Sequence, residues 1–367
     1  MSAEQKQLYV VPVEQMRSFV ANCMQAIGAD SEQALQLADL LVTADLRGHY
    51  SHGVNRLRIY MEDVVSGNCK PNGQPHVLKQ KGGTAWVDGD NALGVVVGNY
   101  CTDLAIKLAQ EHGFGWVVAK GSNHFGIAGY YPLRMAEQGF VGMAFTNTSP
   151  LMFPNRSAQV GLGTNPISVV APAERPGDSF ALDMATTTVA LGKVELAQRK
   201  GEKIPLQWGA NSSGKVTDNP DEVVDGGALL PLGGAEETGG YKGTGLAMMV
   251  ELFCGILGGA TFGKNIRTWR ETSRVADLGQ CFVALDPECF APNFIARIQI
   301  FLDETRDLEQ SDHEKPILVA GDPERHNIKR CEKAGGLIYG KAQLQHLEEI
   351  GQHNGVTPFT YSPLGDS

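Results

Sequence analysis

Apolar residues in the first part of the chain recur every three or four positions. Met16, Phe19, Val20, Cys23 and Ile27 share one side of a helix predicted over 13–27. Asp30 is placed to cap a second helix, whose stripe includes Leu35, Ala38, Leu41, Val42 and Leu46. Gly48 ends that helix, and Ser51 is a suitable N-cap for a third running to about Val65. From Gly83 the period changes. Short apolar runs at 85–87, 115–119, 141–146, 166–172, 180–184 and 281–285 predict strands. Helices are predicted between and after them, over 93–110, 127–138, 187–200, 245–257 and 293–305. Such alternation favours a layered α/β core. The segment 245–257 is apolar nearly all round, which predicts burial in the core or against a second subunit. The polar, glycine-rich span 201–243 is long for a connection and is expected to wall an active site. Further helices close the chain near Gly351, and the last fifteen residues look loose. The division this suggests is an N-terminal helical domain (1–80) joined by C-terminal helices (322–367), with a central α/β domain at 81–321.

Composition narrows the class. Of 367 residues, 42% are apolar and 20% charged, which is ordinary globular composition. A net charge of −10 with no basic run argues against nucleic acid and anionic membranes as partners. The seven cysteines are scattered without a C-x-x-C pair, so neither a zinc site nor a disulfide framework is expected. That usage suits a reducing compartment. The first residues lack the apolar core of a signal peptide, and the run 245–259 is broken by Glu251 and too short to cross a bilayer. A cytoplasmic location is expected.

Candidate chemistry centres on two histidines. His124 lies in Gly121-Ser122-Asn123-His124-Phe125-Gly126, at the end of a predicted strand, where open sheets expose groups to ligands. Its imidazole titrates near neutral pH. His52 and Arg56 are four apart on the third predicted helix, near its positive end. A proton carrier beside a guanidinium suits a carboxylate substrate. Taken singly, each also has a plain reading, as a backbone-bonded loop histidine or a polar helix start. No Gly-x-Gly-x-x-Gly opens a helix after a strand: Gly161-Leu162-Gly163 lacks the third glycine, and Gly258–Lys264 is followed by Asn265, not Ser or Thr. Three other stretches could hold a dinucleotide. Gly163-Thr164-Asn165-Pro166 sets polar groups at a turn. Asp183-Met184-Ala185-Thr186-Thr187-Thr188 leaves a strand and enters a predicted helix. Lys242 sits among glycines at 239–245, just before the apolar helix. Each reads equally well alone as a cap or a loop.

Together with His49-Tyr50-Ser51-His52-Gly53 and Asn147-Thr148-Ser149-Pro150, these stretches resemble the type-2 malate/L-lactate dehydrogenase family, in the family's order and over most of the chain. The resemblance implies a non-Rossmann α/β fold like that of L-sulfolactate dehydrogenase, a homodimer, and NAD or NADP in the central domain. By the same resemblance His52 is the proton donor/acceptor, Arg56 the carboxylate clamp, and His124 an alternative acid/base or a polariser of the substrate oxygen. Ser149, Asn165, Asp183, Met184, Ala185, Thr186, Thr187, Lys242 and Gly321 would meet the cofactor. One departure is Ala320-Gly321-Asp322 where the family usually has Pro-Gly-Glu, which leaves NAD against NADP open. The expected reaction is hydride transfer between a 2-hydroxy acid and its 2-oxo acid, without a metal. Malate heads the substrates, because 183–193 and 230–245 resemble malate-type members. Two alternatives stand beside it: reduction of a cyclic imino acid at the same site, and a catalytically silent nucleotide-binding homodimer.

Overall fold

The computed structural model describes residues 7–268, 271 and 273–365. Strand β1 (Leu8–Val11) leads into α1 (Val13–Ala26), α2 (Ser31–Leu46) and α3 (Leu57–Val65). The side chain of Asp30 accepts from Gln33 N at the start of α2, a cap worth about 1 kcal/mol. Leu35 is the exception to the predicted stripe, being exposed. The third helix starts later than its pattern suggests. Two short 3₁₀ turns, Tyr50–His52 and Val54–Arg56, precede it with Gly53 between them. Gly53 packs on the carboxylate of Asp45, and a Cβ there would collide with Asp45 Oδ1. The chain therefore breaks where helix spacing predicted continuity, and His52 and Arg56 do not share a helix.

The α/β part follows in chain order: β2 (His76–Lys81), β3 (Thr84–Asp88), α4 (Gly94–His112), β4 (Phe114–Ser122), α5 (Tyr130–Ala136) and β5 (Val141–Thr146). Next come β6 (Ile167–Pro172), β7 (Ser179–Met184) and α6 (Leu191–Lys200). The predicted helix from Thr187 thus begins at Leu191, and Thr186 and Thr187 lie in the turn before it. The glycine-rich span folds rather than forming a bare wall. It contains β8 (Gly209–Ala210), β9 (Val216–Thr217), α7 (Pro220–Val224) and β10 (Ala228–Leu229), around a small core of Val189, Val194, Ile204, Val223 and Leu229. Helix α8 (Gly240–Glu251) runs into a π turn at Leu252–Ile256. Strand β11 (Leu278–Leu285), α9 (Phe294–Arg306), α10 (Asp322–Ala334), β12 (Leu337–Gly340), α11 (Lys341–His353) and β13 (Ser362–Pro363) complete the chain.

Seven strands form the main sheet in the order β2-β3-β4-β11-β5-β6-β7. Only β3 and β4 run parallel; the other neighbours are antiparallel. The central β11 is buried along nearly its whole length, as its unbroken apolar run requires. One face shares a continuous core with the helices: Leu37, Leu40 and Leu41 of α2 join Val87, Val117, Ala119 and Phe282 of the sheet. Up to residue 365 the last stretch is packed rather than loose. Strand β13 pairs with β1, Phe359 is buried edge-on against Phe19, and β1 also pairs with β12. Among the described residues no helix is long and apolar enough to cross a membrane.

Candidate active site

His124 follows β4 in a turn held from several sides. Ser122 Oγ donates to Gln280 Oε1 (2.8 Å), Gln280 Nε2 donates to Asn123 O (2.9 Å), and Asn123 Nδ2 donates to Ala92 O (2.8 Å). All three side chains are buried, so the backbone entering His124 has little freedom. On the far side of the turn, Tyr131 Oη donates to Phe125 O (2.6 Å), and Gly129 N donates to Asp183 Oδ2 (2.8 Å) at the end of β7. The segment 50–56 reaches the same place from the helical side. Asp45 anchors it: the fully buried carboxylate accepts Val54 N (3.1 Å) and Tyr339 Oη (2.7 Å).

The two histidines meet. Their rings stack with centroids 5.7 Å apart and planes 20° from parallel. Arg56 Nε donates to Ser51 O (2.6 Å), which fixes the guanidinium beside His52. Ser51 Oγ and His52 Nδ1 lie 2.9 Å apart. His124 Nδ1 lies 2.6 Å from Tyr60 Oη and accepts Gly126 N at 3.2 Å. A backbone N–H can only donate, so Nδ1 carries no proton and the neutral ring bears it on Nε2. Burial and the neighbouring cations keep both rings neutral. His52 is lowered to about 4 by burial, then Arg56, then His49. His124 falls well below the usual imidazole range through burial, then His52 and Arg56. Burial also raises the Tyr60 phenol, so it stays protonated. The cluster thus brings together two neutral imidazoles, a phenol and one permanent positive charge.

The other candidates lie on three connected stretches. Ser149 Oγ donates to Arg267 O (2.8 Å), and buried Arg267 pairs with Asp63 of α3 (2.7 Å), tying this loop to the helix that bears Tyr60. Asn165 is fully buried and its side chain is engaged internally, with Thr148 N, Ala247 O and Glu251. Thr186 Oγ1 donates to Thr164 O and Asn165 O, and Thr187 Oγ1 to Val189 O; both side chains are buried. Met184 and Ala185 are half-buried at the end of β7. Gly321 caps α10 beside that strand, where Ala181 N donates to Ala320 O (3.0 Å). Lys242 is exposed in the first turn of α8, not ahead of it. Leu232 N donates to Thr186 O (2.8 Å), so the loop packed under Gly243 adjoins the threonine turn.

Tyr60 and Asp45 were not singled out from sequence. Tyr60 stands in the apolar run Ile59-Tyr60-Met61, which reads as core. Asp45 left a faint signal, an acid where the α2 stripe calls for an apolar residue. Among the described residues no group of three or more His, Cys, Asp or Glu could hold a metal ion.

Two stacked histidines and an arginine therefore meet at the seam between a helical layer and a mixed sheet. The sequence profile of the malate/L-lactate dehydrogenase family matches residues 11–348, and the chain belongs to that family. It is a dehydrogenase of hydroxy acids, with that family's fold. It is 40% identical to the malate dehydrogenase of Pyrococcus horikoshii over 350 residues, 94% of this chain and 96% of that one. The solved structure of the Pyrococcus enzyme superposes with a TM-score of 0.89 at 35% identity, covering 98% and 99% of the two chains. The sulfolactate dehydrogenase of Methanocaldococcus jannaschii superposes at 0.86, with 34% identity and 95% and 98% covered. The delta1-piperideine-2-carboxylate reductase of Pseudomonas syringae pvar. tomato superposes at 0.82, with 28% identity and 93% and 99% covered.

Proposed function

We propose that this dehydrogenase interconverts a small 2-hydroxy acid, malate first, with its 2-oxo acid, and that His52, His124 and Arg56 do the work. The observation that carries the reading is the stack of His52 on His124 beside Arg56. Arg56 takes the substrate carboxylate in a two-point bond, its fork already oriented through Ser51 O. His52, neutral when the site is empty, accepts the hydroxyl proton during oxidation. A bound carboxylate is an opposite charge beside it and raises its affinity for that proton. His124 offers Nε2–H to the substrate oxygen and polarises it. Losing that proton outright would leave an imidazolate, so His52 is the better proton carrier.

A nicotinamide dinucleotide is the hydride partner in this reading; when bound, its ring gives or takes the hydride. The residues present fit such a group. Lys242 presents an exposed ammonium for the phosphates, and Met184 and Ala185 are half-buried at the end of the strand that also holds the His124 turn through Asp183. Ser149 and Gly321 border the same region. Asn165, Thr186 and Thr187 shape it from behind. Residues 81–321 would carry the cofactor, while 1–80 with 322–367 close over the substrate. The chain would work as a homodimer, for which the outer face of α8 is suited, and in a reducing cytoplasm, which suits its seven free thiols.

A panel of 2-oxo acids and cyclic imines, each with NADH and NADPH and followed by loss of nicotinamide absorbance, tests this. Malate's oxo acid should turn over fastest. Faster turnover of a cyclic imine would favour the activity named for the Pseudomonas neighbour. Nucleotide binding without turnover of any substrate would leave a silent binding protein.

A further inference from the structure

Glu251 closes α8 and is buried, with 5% of its surface exposed. Each carboxylate oxygen takes one asparagine amide: Oε2 accepts Asn147 Nδ2 and Oε1 accepts Asn165 Nδ2, both at 3.1 Å. Neither amide can turn over. Asn147 Oδ1 accepts Gly279 N (2.9 Å) and its Nδ2 also donates to Thr261 O (2.9 Å). Asn165 Oδ1 accepts Thr148 N (3.0 Å) and its Nδ2 also donates to Ala247 O (3.1 Å). Both asparagines are fully buried, and Asn165 holds a left-handed backbone with φ 30°. The group between them must therefore accept on both of its ends, which an ionised carboxylate does and a primary amide does not.

We propose that Glu251 is a positioning residue that locks the 147–149 and 163–165 loops at the separation the dinucleotide requires, which rests on the cofactor reading above. The π turn that begins at Leu252 brings Gly255 against the same cluster. A Cβ on Gly255 would lie 2.8 Å from Asn147 Nδ2 and 3.2 Å from Glu251 Oε2, so only glycine leaves the clasp closed. Thr148 and Ser149 follow Asn147 directly, and Thr164 and Asn165 accept from Thr186 Oγ1. A shift of the clasp thus moves three stretches of the cofactor region at once. The imidazole pocket has its own supports, in Gln280, Asn123 and Asp45.

Glu251→Gln keeps shape and size but turns one N–H₂ towards an asparagine N–H₂. The Michaelis constant and the dissociation constant for NADH, or for NADPH if the wild type prefers it, should rise about ten- to a hundredfold. The KM for the 2-oxo acid at saturating cofactor should stay within about twofold. Gly255→Ala presses on the clasp from the other side and should reproduce that split, which covers a Glu251→Gln chain that fails to fold. Wild-type cofactor affinity in every variant that folds overturns the proposal, as does an equal loss for cofactor and oxo acid. The cofactor reading fails separately, if Lys242→Ala and Ser149→Ala both leave the cofactor KM unchanged.

Discussion

At the scale of single residues the site is defined by which nitrogen holds a proton. The Gly126 amide decides this for His124, while burial beside Arg56 keeps the His52 ring neutral. A neutral His52 with a free-enzyme value of about 4 has consequences of opposite sign in the two directions. In the proposed mechanism His52 carries the proton and oxidation needs its neutral form, so kcat/KM for the hydroxy acid should be flat through neutrality and fall only as pH drops towards 4. Reduction needs the protonated form, so kcat/KM for the oxo acid should fall steadily as pH rises above that value. His52→Gln should lower turnover by about two to four orders of magnitude and abolish the pH limb. His124→Gln should slow turnover by about a hundredfold or more but keep the limb, because it removes a hydrogen-bond donor and not the titrating group. A limb that survives in His52→Gln and vanishes in His124→Gln would exchange the two roles. Profiles of kcat/KM from pH 4 to 9 in both directions read this out.

At the scale of elements, charge ties the last helices to the sheet. Arg306 at the end of α9 bonds Asp178 before β7 (2.7 Å) and Asp322 at the start of α10 (2.8 Å). Arg325 of α10 also reaches Asp322 (2.7 Å). The Arg306 bond and other contacts outweigh burial and hold Asp178 far below the usual carboxylate range. For Asp322, burial pushes upward but the two guanidiniums prevail and bring it to about 2. Carboxylates lowered in the folded state stabilise above the unfolded value of about 3.9, and that gain is lost as pH falls towards 2. Arg306→Ala should therefore cost about 2 kcal/mol at pH 7, a melting-point drop of roughly 3 °C. The gap from wild type should close between pH 4 and pH 2. A gap that does not change with pH would mean Arg306 acts by packing alone.

The same scale shows what the pattern could not reach. Strands such as β6 and β11 were legible because burial on both faces leaves an apolar run. Strand β2, His-Val-Leu-Lys-Gln-Lys, was not, because it is a solvated edge whose side chains mostly face water. The helix predicted from Ser51 failed at Gly53, where the backbone yields to Asp45, a contact eight residues back that no local spacing records. The histidine pair was legible as chemistry, whereas its geometry was not: His52 and Tyr60 reach His124 only because α2, α3 and the sheet share one core. Glu251 looked like a mere interruption of an apolar run, and its meaning lies in two asparagines about a hundred and about ninety residues away.

On the scale of the whole molecule, α8 and its π turn join the proposed cofactor region to an exposed apolar stripe. Ala247, Val250 and Cys254 are fully buried, while Met248, Leu252 and Ile256, four apart on the outer side, are each at least half exposed. An apolar stripe of this kind suits an interface, and the proposed homodimer would cover it. Lys242 stands in the first turn of the same helix and Glu251 is its last residue. Any shift of α8 between free and paired subunits would therefore be felt at the cofactor. Coupling of this kind is reciprocal: if pairing tightens cofactor binding by some factor, the cofactor tightens pairing by the same factor. Sedimentation of the 39.4 kDa chain with and without saturating NADH measures one side, and NADH titration above and below the dimer dissociation constant measures the other. Leu252→Arg should shift the population to monomer and raise the NADH dissociation constant. A chain that sediments as monomer at every concentration, or a Leu252→Arg variant that still pairs like wild type, would move the subunit contact off this helix.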